Sequence, residues 1–321
     1  MDAQNLQSPI PIAKNIKSGI EMKTLNTHLE SLLDDDDIFL DPENDKKVVE
    51  DWIMKHYTIT GSLTISKDFT VDCAGRVIVK DKSITSLTNG MFKWGKVSNV
   101  FMCSRCENLK SLEGAPKEVY GNFWCNNCKN LISLEGAPKK IGGTLDCSDC
   151  DNLISLEGCP KKVGGCFYCK LCNNLKSLEG APKEVGGSFS CSFCDKLTTL
   201  KGAPKKVGEH FLCNSCVGLI SLEGAPRKIN NNFYCSSCPN LNTLKGAPEE
   251  VGSSFDCSGC ENLISLEGAP KKVGYIFDCS QCGNLTTIKD GPEKVSSLFY
   301  CLECPKLTIT DSDRKKYRIQ D

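Results

Sequence analysis

The chain has 321 residues, with 39 lysines and arginines against 40 aspartates and glutamates, a formal net charge of −1. That balance gives no reason to expect nucleic acid or an anionic membrane as partner, and no apolar run approaches the roughly 18 to 20 residues of a membrane helix. Met1 to Ile20 lacks the continuous apolar centre of a signal peptide, so the expectation is a soluble protein of the cytoplasm. The outlying number is 23 cysteines, an odd count in a long chain, which points to reduced thiols or metal ligands rather than a disulfide framework.

Residues 1–44 carry Pro9, Pro11 and the acidic run Asp34 to Asp37, and read as a flexible acidic arm. Ile10, Ile12, Ile38, Phe39 and Leu40 give that arm apolar anchors for docking. Residues 45–57 read as a helix. Asp45 is a candidate N-cap, and Val48, Val49, Trp52, Ile53, His56 and Tyr57 form one stripe at 3.6 periodicity. Such a helix would cover the open end of a stack. Residues 58–100 read as degenerate repeats: Ile84 and Leu87 imitate a leucine pair, Val97 imitates the valine before Phe101, and Met91 to Trp94 interrupt the spacing.

From 101 to 310 the chain repeats itself. Phe101, Phe123, Phe167, Phe189, Phe211, Phe233, Phe255, Phe277 and Phe299 fall on one 22-residue grid, with Leu145 at the remaining point. The unit is F-x-C-x-x-C-x-N-L-x-S-L-E-G-A-P-K-K-V-G-G-x, and ten copies follow one another. Phe and the first Cys lie two apart, so both face one side of a short strand. The leucine pair, as in Leu131 and Leu134, and a later Val or Ile complete the inward set, while Gly-Ala-Pro and Gly-Gly turn the chain. One unit buries about five apolar side chains, on the order of 10 kcal/mol. That is less than the roughly 1 to 2 kcal/mol per residue needed to order it, so the units must stack into a solenoid. The expected fold is a stack with a parallel β-sheet on one face and irregular turns on the other. Residues 311–321 form a polar C-terminal cap or tail.

The pattern V-x-x-x-F-x-C-x-x-C-x-x-L-x-x-L resembles the leucine-rich-repeat core, with the second Cys in the place of the turn Asn or Cys. The wording S-L-E-G-A-P…V-G-G-x-F-x-C-S is similar to short repeat proteins of tailed bacteriophages. The resemblance covers about residues 57 to 310. It implies a viral source, a place in the host cytoplasm or in the virion, and a nonenzymatic interaction role; it names no active site.

Twenty cysteines form ten C-x-x-C pairs, from Cys103/Cys106 to Cys301/Cys304. The spacing C-x2-C-x18-C-x2-C fits a zinc site, with Cys103, Cys106, Cys125 and Cys128 as the first ligand set, and an iron–sulfur cluster is the related alternative. The same spacing also follows from the repeat alone, which would stack the thiols into two buried ladders without metal. Disulfides between ladder neighbours are a third reading. The expectation is no cofactor. Cys73, Cys159 and Cys166 stand outside the pairs.

The residue between Phe and the first Cys points outward and varies: Met102, Trp124, Asp146, Tyr168, Ser190, Leu212, Tyr234, Asp256, Asp278 and Tyr300. Leu171 and Phe193 sit between paired cysteines on the same side. Trp124, Tyr168, Leu171, Phe193, Leu212, Tyr234 and Tyr300 are the candidate protein-binding residues of a concave face. Lysine pairs such as Lys139-Lys140 and Lys161-Lys162 make a broken basic stripe, but interspersed acids such as Glu184 and Glu250 make it a charge-balanced surface, so nucleic acid is not the expected partner. Three histidines, His28, His56 and His210, lie in no catalytic arrangement, and the glycines are turn residues rather than a phosphate loop. The functional expectation is a protein-binding scaffold and not an enzyme. The alternatives are a structural virion component attached through the arm, or a metal-binding or redox thiol array.

Overall fold

In the computed structural model, residues 42–320 are described. The acidic arm lies almost wholly outside them. The first element, α1 (Pro42–His56), starts three residues earlier than the sequence pattern suggested. Proline suits the first turn of a helix, where its missing N–H is not needed. Val49, Ile53 and Tyr57 are buried beneath this helix, and Val48 and Trp52 pack at its edge.

Residues 57–76 do not form a degenerate repeat. Strands β1 (Tyr57–Ile65) and β2 (Thr70–Val79) make an antiparallel hairpin, with Tyr57 opposite Val79 and Ile65 opposite Val71. Both strands alternate apolar and polar residues, the pattern of a half-buried hairpin. The hairpin then becomes the stack. The end of β2 pairs in parallel with the first repeat, Val77 with Phe101 and Ile78 with Met102. The next strand, β3 (Lys93–Val97), pairs in parallel with Glu118–Val119. Only residues 77–100 therefore behave as an irregular first coil.

The ten repeats stack as a parallel β-solenoid. Each coil contributes a two-residue strand beginning at the Phe position, and equivalent residues pair directly, Phe101 with Phe123, Phe167 with Phe189 and Phe277 with Phe299. Each of the first nine coils adds a second two-residue strand ending at the Val or Ile position, such as Lys140–Ile141, and these pair from coil to coil as well, with one break between Lys206–Val207 and Lys228–Ile229. The surface away from the Phe strands thus contains a second ribbon where only irregular turns were expected.

The inward residues fill a continuous core. The Phe, both Cys and both Leu positions are buried in each of the first nine coils, and Phe299 and Cys301 in the last. Phenylalanine rings stack along the axis, with centroids 5.7 Å apart for Phe101–Phe123 and 4.9 to 5.6 Å apart from Phe167 to Phe299. Leu145 interrupts the column. The turn between the leucine pair and the second strand needs glycine: Gly136 has φ +86°, and a Cβ there would lie 2.4 Å from backbone atoms of Leu112 and Glu113.

Both ends are closed. At the start, Tyr57, Trp94 and Phe92 meet edge to face and cover Phe101. At the other end, Thr310 caps the short helix α2 (Asp311–Lys316) through a reciprocal capping box with Asp313, and Tyr317 stacks on Phe299 at 4.5 Å. The Tyr317 hydroxyl donates to Pro292 O at 2.6 Å, and Ile319–Gln320 pairs with Phe299–Tyr300 as a final strand. An edge that would otherwise recruit another strand is thereby covered.

Candidate interaction face and the thiol ladders

The two cysteine rows are built differently. In the first row, thiols such as Cys147 and Cys169 reach a carbonyl of the next coil, that of Tyr168 at 3.3 Å and of Ser190 at 3.5 Å. Those carbonyls already accept the backbone N–H of Cys147 and Cys169. In the second row, each thiol reaches back to the carbonyl of the first Cys one coil earlier: Cys128 to Cys103 O at 3.2 Å, Cys194 to Cys169 O at 3.2 Å, Cys282 to Cys257 O at 3.4 Å. The register repeats from Cys128 to Cys304. Here the S–H satisfies a backbone acceptor turned into the core. Cysteine suits the position because it is small, readily buried and carries a weak donor.

All 23 cysteines are free thiols. Burial is the main reason that Cys106 is pushed up to about 12 and Cys128 up to about 11, and it also raises Cys103 and Cys125 well above the usual thiol value. Among the described residues no group of three or more His, Cys, Asp or Glu is placed to hold a metal ion. The Cys128 thiol, one of the four ligands considered from spacing, is directed at the Cys103 carbonyl.

The outward face of the Phe strands is a set of parallel rows. The varying row is in strict register: Met102 beside Trp124, Trp124 beside Asp146, Asp146 beside Tyr168, and so on to Asp278 beside Tyr300. Trp124, Tyr168, Leu212, Tyr234 and Tyr300 therefore lie on one line, each half-buried. They do not form one continuous patch. Asp146 separates Trp124 from Tyr168, and Asp256 and Asp278 separate Tyr234 from Tyr300.

Leu171 and Phe193 occupy the turn between paired cysteines. They are 44% and 46% exposed, and both have a left-handed backbone, φ 56° and 61°. The same left-handed position recurs in every coil: Asn127, Asp149 and Gly259 are residue types that accept it readily, Arg105, Gln281 and Glu303 place long polar chains there, and only Leu171 and Phe193 place apolar ones. Bulky side chains there are strained, and burial does not compensate them.

Sequence reasoning missed the floor between these side chains. Ser188, Ser190 and Ser192 point outward yet are 6%, 0% and 3% exposed. The flanking coils carry Tyr168 and Lys170 on one side and His210 and Leu212 on the other, and their larger side chains close over the small ones. Ser188 Oγ donates to Glu209 at 2.9 Å, and Ser192 Oγ donates to Asn214 at 2.7 Å. The signal was present as three serines in S-F-S-C-S between bulkier neighbours, but it is legible only once the coils are known to touch. Tyr168 itself is engaged: Lys170 Nζ lies 4.5 Å from its ring centre. A hydrogen bond with Cys166, followed by burial, pushes its hydroxyl up to about 12.

Further along, Asp256 and Asp278 stack directly. Burial, then the Asp278 charge, raises the Asp256 carboxyl, although Ser258 N–H and Oγ–H donate to its Oδ1 at 2.9 and 2.6 Å. On the second ribbon, Glu184 lies between Lys162 at 3.5 Å and Lys206 at 2.9 Å, and Glu250 between Lys228 at 3.2 Å and Lys272 at 3.3 Å. That part of the lysine stripe is charge-compensated.

Comparison with known proteins returns no relative: no family model matches the sequence, and neither a curated protein nor a solved structure matches it significantly. The repeat solenoid is established by the coil register itself. Among the described residues no helix is long and apolar enough to cross a membrane.

Proposed function

We propose that this protein is a noncatalytic binding scaffold that captures a protein partner on the outward face of its Phe-x-Cys ribbon, centred on Leu171 and Phe193. The observation that carries this reading is the pair of bulky side chains held half exposed on a left-handed backbone. Strained residues persist where the surroundings or a function require them, and these two gain little from packing. Around them the inward rows stay Phe, Cys and Leu, while the outward row changes from coil to coil, so partner contacts can vary without touching the core. Tyr168, Leu212 and Tyr234 supply the aromatic and aliphatic surroundings typical of interface anchors, Trp124 and Tyr300 extend the row in both directions, and the sealed serine floor gives the patch a rigid base.

The test compares partner capture by the full chain with capture by a Leu171→Ser/Phe193→Ser double variant. Ile154→Ser, which removes another exposed apolar side chain at a different position of the coil, is the control. The double variant should lose the partner that the wild type and the control retain, and should be at least as stable as the wild type, because serine occupies the same turn at Ser215 and Ser237. Retention of the partner by the double variant, or capture by residues 1–41 alone, would overturn the proposal.

A further inference from the structure

At a different corner of each coil lies the segment E-G-A-P-K. Its two charged ends are exposed in every copy. In coil order they are Glu113/Lys117, Glu135/Lys139, Glu157/Lys161, Glu179/Lys183, Lys201/Lys205, Glu223/Arg227, Lys245/Glu249, Glu267/Lys271 and Lys289/Glu293. Eight of the nine pairs have opposite signs. Of the three coils whose first position is basic, two, Lys245/Glu249 and Lys289/Glu293, have an acidic second position.

The ends stack into two rows. The backbone N–H groups of Lys139, Lys183 and Lys205 donate to the carbonyls of Lys117, Lys161 and Lys183, and Leu112 and Leu134 N–H donate to Glu135 and Glu157 O. In the first four coils this places four glutamates in one row and four lysines in the other. Like charges stacked directly are unfavourable. Further along the rows, alternating signs give ion pairs, Arg227 with Glu249 at 2.9 Å and Lys245 with Glu267 at 3.1 Å. Among the described residues no ion pair joins the two ends within a coil. Contacts inside this chain thus use the alternating charges along the rows from Arg227 to Glu267, while the matching of Glu113, Glu135, Glu157 and Glu179 with the lysines of their own coils is not expressed as ion pairs among the described residues.

We infer that this corner is a self-association surface, on which a second copy of the chain docks side by side and parallel, related by a two-fold axis along the stack. That operation sets each coil against its equivalent and brings the first-position row of one copy opposite the second-position row of the other. Glu135 then meets the partner's Lys139, and Lys245 meets the partner's Glu249. A two-fold axis across the stack, through the middle coil, would instead set each row on itself and bring Glu179 against Glu223, Lys183 against Arg227 and Lys139 against Lys271. Between the rows run small residues, half-buried Ala and buried Pro, which let two backbones approach; Ala181, Pro182, Gly202, Ala203, Gly224, Ala225 and Pro226 line an open cleft there. Nine coils at ~4.8 Å by at most ~13 Å for the five-residue segment give roughly 500 Å² per copy. The total of about 1,000 Å² is at the lower edge for specific association. The complex should be reversible and weakened by salt. Lys201 with Lys205 is the mismatched coil.

The test is sedimentation velocity of the full chain across concentration at low and high salt, with charge variants checked for folding by circular dichroism. Glu135→Lys/Glu157→Lys should weaken self-association at least tenfold, and so should Lys139→Glu/Lys161→Glu. Mixed together, these two variants should form a heterodimer that neither forms alone, an outcome that charge pairing within one chain cannot produce. Lys201→Glu should tighten the dimer about threefold or more. A chain that stays monomeric at low salt and high concentration, a dimer indifferent to these substitutions, or failure of the mixed variants to associate overturns the inference.

Discussion

Replacing Cys194 by alanine tests the account of the thiol ladder most directly. The Cys194 thiol is fully buried and donates to the Cys169 carbonyl at 3.2 Å. Removing the sulfur deletes one buried group about the size of a methylene, on the order of 1 kcal/mol. It also leaves the Cys169 carbonyl without its donor, which costs about 1 to 3 kcal/mol for a buried acceptor. The thiol is a weak donor, so the lower half of the sum applies, and the expected loss is about 2 to 3 kcal/mol. Cys169→Ala removes a similar volume, but its thiol shares the Ser190 carbonyl with the Cys169 N–H. It should cost about 1 kcal/mol less than Cys194→Ala. Urea unfolding followed by far-ultraviolet circular dichroism reports the whole stack. The fluorescence of Trp52, Trp94 and Trp124 reports its first part, and coincidence of the two curves tests whether a single free energy describes the transition. Equal losses for the two variants, or a loss below about 0.5 kcal/mol for Cys194→Ala, would refute the claim that the second cysteine is selected as a donor.

Three further outcomes are expected. Gly136→Ala should destabilise by about 2 kcal/mol or more in the same unfolding assay, since alanine at φ +86° meets the Leu112 and Glu113 backbone and enters a left-handed conformation. Because its carboxyl is raised in the folded state, Asp256 binds its proton more tightly when folded than when unfolded. Stability should therefore fall as pH rises from the unfolded value through the folded one. Asp256→Asn should flatten that fall and stabilise at neutral pH by a few tenths to about 1 kcal/mol, as read from melting curves across pH. In native protein at neutral pH, an alkylating probe followed by peptide mass spectrometry should modify Cys166 and Cys304 first, because they are partly exposed, whereas burial raises the Cys159 thiol and slows it; early modification of Cys125 or Cys147 would contradict the sealed core.

Much of the architecture was legible because stacking forces equivalent residues into one chemical environment. The Phe grid survives the change at Leu145 because leucine fills the same column. The hairpin at 57–79 was not read, although Tyr57–Ile65 alternates apolar and polar residues. That period-2 signal was overridden by extending the 22-residue grid backwards, and a hairpin that feeds a stack leaves no periodic trace of its own. The second ribbon was missed because two-residue strands at Lys140–Ile141 and its equivalents are too short to carry a pattern. At the candidate face the row positions followed from the repeat, whereas Ser190 turned out sealed. Its burial depends on the bulk of Tyr168 and Leu212, one coil away on each side, and no single coil contains that information. The sign matching between Glu and Lys positions was in the sequence throughout, but becomes informative only when the stack makes rows of them.

The hydrogen bonds between coils run along the stack, and each paired strand is two residues long. Tension applied between the two caps would therefore load one coil boundary at a time rather than all in parallel. Each boundary that opens would release one 22-residue coil, about 75 Å of extended chain, in place of ~4.8 Å of folded length. The protein should lengthen in a staircase of equal steps, behaving as an extensible tether whose reach is counted in coils.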